Sequence, residues 1–353
     1  MINRIYSRFE KALKVLLTGK LEDENLDDIP QIRLEEVVEA KTFFPLEKFF
    51  VFGHARSGTT LLTRLLRLHP EVHCNYQAHF FTRPPLLEGL VSDVEVRKWF
   101  TRSSNRWNRK SDLSPVVLRA VSDYILERDA RREGKKIVGD KSPNSLLNGE
   151  AVIKLSKIYP DSRLIFLVRD GRDAVLSHRF QTFIDNPHRL PNEDMRILES
   201  FIRDPEPYLS GKRSLFTRSG LEEAAKGWAA NVEETDQAGR RLFNEQYISL
   251  RFEDLLTDPW GTMSTLWAFL GASSDLPDLS KKIEDEMSKN PDAEWQREKA
   301  TSIANSLIKG KQGSWKDIFT EDDQIIFGQI AGDTLNSWGY EINIKQAPAG
   351  GIL

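Results

Sequence analysis

The sequence predicts an α/β fold: a mostly parallel central sheet with flanking helices, preceded by an amphipathic N-terminal helix. Three observations carry this. The apolar, β-prone run 49–52 ends in Gly53 and leads directly into a helical pattern, "FFVFGHARSGTT". Residues Leu164 to Val168 are consecutively apolar, as a strand buried on both faces of a parallel sheet requires. Helix-spaced segments alternate with these strands, so the chain must cross over between parallel strands, with ligands expected at their carboxyl ends.

Taken in order, Ile2, Ile5, Tyr6, Phe9, Leu13, Leu16 and Leu17 recur at helical spacing, with Arg4, Arg8, Lys11 and Lys14 opposite. Such a helix either packs on the domain or docks on a membrane surface or partner. An acidic connector, "LEDENLDDIP", follows. The expected division is therefore a helical extension and connector over 1–40, a main domain over 41–345 and a flexible tail over 346–353. Within the domain, 49–52 reads as a strand and 59–68 as a helix ending before His69-Pro70. "KKIVGDKSPNSL" reads as a short strand entering a loop, "SRLIFLVRD" as a buried strand, and "GRDAVLSHRF" as a helix. The stretch 185–220, rich in Pro, Arg, Asp and Ser, is an excursion from the core. "QYISLRFEDL" supplies a further strand, followed by a helix near 260–270.

Composition narrows the function. A net charge of −3 over 353 residues gives no reason to expect nucleic acid. The single cysteine, Cys74, excludes an intramolecular disulfide framework and a cysteine metal cluster. The first twenty residues lack the apolar core and cleavage site of a secretory signal, and no run approaches about 18 apolar residues. A soluble, cytoplasmic protein is the expectation.

The chemistry lies in three loops. Gly53 and Gly58 let the backbone after the first strand curl around an anion at a helix start, with Thr59 and Thr60 adding hydroxyls. A nucleoside triphosphatase loop would carry lysine after its second glycine; here Thr59 follows, and the cation is Arg56, two residues earlier. At the next strand end Arg169 precedes Ser177 by eight residues, about two helical turns, so both can reach a second anion. Alternatively Arg169 merely pairs with Asp170 or Asp173. Lys309, Gly310 and Gly313 form a basic, flexible loop far along the chain. Two anion sites near one another suit a nucleotide phosphorylated at both its 5′ and 3′ ends.

These motifs resemble those of the sulfotransferases that use 3′-phosphoadenosine 5′-phosphosulfate (PAPS), over about residues 45 to 320. The resemblance implies a P-loop NTPase-like fold and activity without a metal. "RSGTT" resembles the 5′-phosphosulfate loop, whose cation is lysine in cytosolic members and arginine in Golgi protein-tyrosine members. Arg56 then contacts the sulfonate, and Ser57, Gly58, Thr59 and Thr60 cradle the phosphate. "RDGRDAVLS" resembles the 3′-phosphate site, implicating Arg169 and Ser177, and "KGKQGSWKDIFT" the loop that closes over it, implicating Lys309 and Gly310. "DKSPNSL" assigns Lys141 to stabilising the sulfonate in flight. "RFEDLLTDP" is similar to the adenine-side strand and turn, with Phe252 where tyrosine is commoner. Two departures stand out: Leu61 replaces the tryptophan that stacks on adenine in cytosolic members, and Ile308 replaces the arginine of the C-terminal loop.

The resemblance implies in-line transfer of a sulfonate to a hydroxyl or amine. A base should sit within hydrogen-bond reach of that acceptor. The histidine that cytosolic members keep in the "DKSPN" segment is absent, and Gln77 stands where protein-tyrosine members keep a glutamate. His79 is the substitute, with an imidazole near its ordinary pKa of about 6.5; His54, His73 and His178 are the alternatives. The acceptor could be a small molecule, glycan, peptide or carrier-bound group. Segment 97–110, with six basic residues, two tryptophans and no acid, suits an acidic one unless it is simply a solvated face. Two rival classes remain: a catalytically idle nucleotide-binding protein of the same fold, and a P-loop kinase.

Overall fold

The computed structural model describes residues 29–341 except 103, 105, 109, 110 and 290–311. The expected N-terminal helix, Lys309 and Gly310 lie outside the described residues. Five strands form the sheet: β1 (Glu47–Gly53), β2 (Val72–Tyr76), β3 (Ile137–Lys141), β4 (Arg163–Val168) and β5 (Tyr247–Arg251). Their order is β2-β3-β1-β4-β5, and every pair is parallel. The chain leaves β1 on one side for β2, returns through β3, and then crosses to β4 on the other flank of β1. Such a reversal opens a crevice outside the carboxyl ends of the central strands.

Helices cover both faces: α1 (Leu34–Phe43), α2 (Thr59–Leu66), α3 (Ser114–Arg132), α4 (Glu150–Ile158), α5 (Gly171–Asp185), α6 (Arg218–Phe243), α7 (Phe252–Thr257), α8 (Pro259–Leu270), α9 (Leu279–Ser288) and α10 (Glu321–Ser337). The strand period of two divides β1 between two cores. Phe50 and Phe52 pack with Leu126, Val152 and Trp228 of α3, α4 and α6. Phe49 and Val51 pack with Leu62, Met263 and Trp267 of α2 and α8. β4 divides the same way, Leu164, Phe166 and Val168 against Ile165 and Leu167. Truncating one of these phenylalanines to alanine would cost about 3–5 kcal/mol.

The predicted fold class is the observed one, with three local differences. Val72–Tyr76 forms an edge strand that its mixed sequence did not announce. The excursion 185–220 contains the helix Asn192–Arg203, which buries Leu198 and Phe201. Arg97, counted above with the basic segment, is buried and paired with Asp112 at 3.1 Å, so it does not face an acceptor.

Candidate active site

The loop after β1 is shaped by close approach. A Cβ on Gly53 would lie 2.7 Å from the Leu167 carbonyl oxygen of β4, and one on Gly58 would lie 2.2 Å from the Phe252 ring. Arg56 and Gly58 are both left-handed, with φ of 70° and 87°. Two such residues in a tight turn curl successive N–H groups into one concavity. The helix α2 begins at Thr59, so its unpaired first-turn N–H groups and positive dipole end face the same space. Ser57 Oγ is buried there without a hydrogen-bond partner, a donor that a ligand oxygen would satisfy.

The second basic pair joins this loop. Asp170 caps α5 and takes both Nε and Nη2 of Arg172, at 2.9 and 2.7 Å, so the expected partner of Arg169 is engaged elsewhere. Arg169 Nη1 instead donates to the Arg56 carbonyl at 3.1 Å, and its guanidinium lies 5.2 Å from the Phe252 ring centre. Its Nε is buried without a partner. Two turns along α5, Ser177 Oγ accepts from Arg56 Nε at 3.1 Å. Arg56, Arg169 and Ser177, expected at two separate anion sites, are thus linked by hydrogen bonds.

Lys141 closes the third side. It ends β3 in register with Val51 of β1 and Tyr76 of β2. Its Nζ donates to Thr60 Oγ1 at 3.3 Å and lies 5.4 Å from the Tyr76 ring centre. Beside it, Asp140 is buried, and burial pushes its carboxyl up to about 6 against hydrogen bonds from Ser142 and Ala78. Ser142 Oγ in turn accepts the His79 N–H at 2.9 Å, which helps hold His79 at a φ of 52°. Sequence reasoning missed Tyr76 and Asp140; their places at the ends of β2 and β3 would have marked them, had β2 been read as a strand.

The histidines separate. His73 sits near the start of β2 with Nδ1 3.0 Å from Glu133, far from the carboxyl end, so it drops out as a base. His79 Nδ1 lies 2.8 Å from Thr82 Oγ1, while its Nε2 is buried without a partner. Burial lowers its pKa below the ordinary imidazole value, helped by the charges of Arg83 and Lys141. His54, after β1, is pushed down to about 4 by burial, and burial with the Arg56 charge lowers His178. All three are neutral at neutral pH and able to accept a proton.

Phe252 is buried against Gly58 and beneath Arg169, forming an apolar floor to the loop. Asp173, between Arg169 and Ser177 on α5, was considered only as a partner of Arg169. Its carboxylate feels the Arg169 charge and also accepts the N–H groups of Gly313 and Trp315, at 2.7 and 3.1 Å. Among the described residues, no group of His, Cys, Asp and Glu could hold a metal ion.

An anion cradle, two arginines, a lysine and a helix hydroxyl converging at the carboxyl ends of β1, β3 and β4 make a site for a polyanionic ligand. The model of the Sulfotransferase family matches residues 48–199 and 194–276, well over half of the chain and all three strand ends. The chain belongs to the sulfotransferase family. Protein-tyrosine sulfotransferase A of Caenorhabditis elegans is 26% identical over 168 residues, 45% of this chain and 40% of that protein. A protein-tyrosine sulfotransferase of Drosophila melanogaster is 32% identical over 131 residues, 36% of this chain and 24% of that protein. The match to these curated relatives thus spans less than half of their length. A solved sulfotransferase from Alicyclobacillus acidocaldarius is 24% identical, covering 76% of this chain and 98% of its own, at a TM-score of 0.39. At that score the overlay adds nothing, and the sulfotransferase assignment rests on the family model. No helix among the described residues is long and apolar enough to cross a membrane.

Proposed function

We propose that the chain transfers a sulfonate group from PAPS to a hydroxyl or amine of an acceptor, leaving 3′-phosphoadenosine 5′-phosphate (PAP). The observation that carries this is the join between the two anion sites: Arg56 donates to Ser177, and Arg169 donates to the Arg56 carbonyl. A nucleotide with phosphates at both ends would span that surface. Buried, unpartnered Ser57 Oγ and Arg169 Nε support the fit, since each would gain an acceptor.

Bound PAPS would supply the activated sulfonate. Ser57, Gly58, Thr59 and Thr60 would hold its 5′ end, and Arg169 and Ser177 its 3′-phosphate. The acceptor oxygen forms a bond to sulfur as the sulfur–oxygen bond to the phosphate breaks, and negative charge grows on that bridging oxygen. Arg56 and Lys141 are fixed cations at the rim of the cradle, where preorganised charge lowers such a barrier. His79 Nε2 would take the acceptor's proton. No metal is required for this division of labour.

The kinase alternative is disfavoured because Thr59 stands where the phosphate-binding lysine belongs. On the acceptor, the exposed indoles of Trp99 and Trp107 stack at 4.8 Å, with Arg102 and Arg106 in the same segment. This favours an acidic acceptor with an apolar or ring face, whether glycan, peptide, carrier-bound group or small molecule. Incubation with PAPS carrying radiolabelled sulfonate and a panel of such acceptors tests the reading. Label should pass to at least one acceptor class, and inertness towards all of them despite PAP binding would favour an idle nucleotide-binding protein.

A further inference from the structure

We propose that Asp173 is a positioning residue for the second anion site. Its carboxylate holds the 313–315 backbone against the first turns of α5, between Arg169 and Ser177, and so sets the preference for a nucleotide phosphorylated at both ends. The inference rests on the proposed PAPS site and deepens it.

Asp173 lies four residues before Ser177, so the two share one face of α5, and Arg169 leaves β4 just before the cap residue Asp170. A carboxylate between two anion-binding side chains would repel a phosphate unless its charge were engaged. It is engaged: Oδ2 accepts the Gly313 N–H at 2.7 Å, and Oδ1 accepts the Trp315 N–H at 3.1 Å. Gly313 has a φ of 76°, a conformation that favours glycine. A second grip comes from Arg172, whose guanidinium lies 3.7 Å from the Trp315 ring centre. Arg172 is itself fixed by Asp170 and by the Glu341 carbonyl at 2.8 Å. The segment is therefore held by its backbone and by its indole, beside Arg169. These N–H donors and the Arg169 charge stabilise the Asp173 carboxylate against its burial and fix the segment beside Arg169. A 3′-phosphate gains from that arrangement, and a nucleotide lacking one does not.

The test is calorimetric titration of the full chain with PAP and with 5′-AMP, in the unaltered protein and in Asp173→Asn and Asp173→Ala. Losing the clasp should weaken PAP binding roughly 10–100-fold in Asp173→Ala, as expected when contacts to a charged group are lost. Asp173→Asn, which keeps one acceptor, should fall between. Binding of 5′-AMP should stay within about twofold, because the cradle after β1 is untouched. That retained binding also reports that each variant folds. If Asp173→Ala does not fold, the near-isosteric Asp173→Asn decides, because its amide nitrogen cannot accept the second N–H. An unchanged ratio of PAP to 5′-AMP affinity in the Asp173 variants would overturn the proposal, as would parallel loss of both ligands in every variant. If the unaltered protein fails to bind PAP, the parent reading falls instead, and this inference with it.

Discussion

Arg56 Nε donates to Ser177 Oγ at 3.1 Å, linking the loop after β1 to the second turn of α5 across 121 residues of sequence. On the proposed reading, the guanidinium that would meet the sulfonate is thereby held at the border of the proposed 3′-phosphate site. A planar fork can keep this bond and still direct other N–H groups into the cradle.

Lysine offers a single ammonium for both tasks. Arg56→Lys should therefore retain transfer but lower kcat/KM by roughly 10–100-fold, a loss of about 1.4–2.7 kcal/mol of transition-state stabilisation. Steady-state kinetics with PAPS would check this. Rates equal to those of the unaltered protein would mean that the fork does nothing a point charge cannot.

Lys141 is 1% exposed and bonded to Thr60, so its charge is fixed before any ligand arrives. If it stabilises charge that appears only during transfer, Lys141→Ala should lower kcat by roughly 10²–10³ and alter PAP affinity little. A variant whose sole defect was a raised KM would rule out that role.

For His79 the sign follows from its surroundings. Burial and the cations Arg83 and Lys141 depress its pKa, so the neutral form that accepts a proton persists below the ordinary value of about 6.5. Activity should be full at neutral pH and fall as pH drops through that lowered pKa. The sequence alone placed this limb near the ordinary value; the structure moves it to lower pH. His79→Ala should remove roughly 10²–10⁴ of the rate with PAP affinity intact, and His79→Gln should not restore it. Persistence of both the rate and the acid limb in His79→Ala would point to His54 or His178, whose pKa values are also lowered.

The anion loops were legible because their chemistry demands particular residues at fixed offsets: Gly53 and Gly58 around Arg56, and Arg169 two turns before Ser177. The strands β1 and β4 were legible because burial on both faces leaves no polar residue in their middles. β2 was not, since in "VHCNY" the polar His73 is buried by Glu133 rather than exposed. Nor was α6, where Ala225, Thr235, Ala238 and Gly239 interrupt the buried stripe of Leu221, Trp228, Val232 and Phe243. Such small and hydroxyl-bearing residues carry almost no hydropathy signal, yet they let α6 pack closely on its neighbours. Asp173 was hidden for another reason. Its partners Gly313 and Trp315 lie about 140 residues away, and a backbone N–H leaves no trace in sequence.

The central claim is that one surface binds a nucleotide phosphorylated at both ends. Calorimetric titration of the protein with PAP and with ATP, each with and without Mg²⁺, tests it most directly. PAP should bind tightly with no need of the metal, and ATP at least tenfold more weakly, a difference of about 1.4 kcal/mol or more. Equal affinity for the two, or PAP binding that appears only with Mg²⁺, would contradict the account.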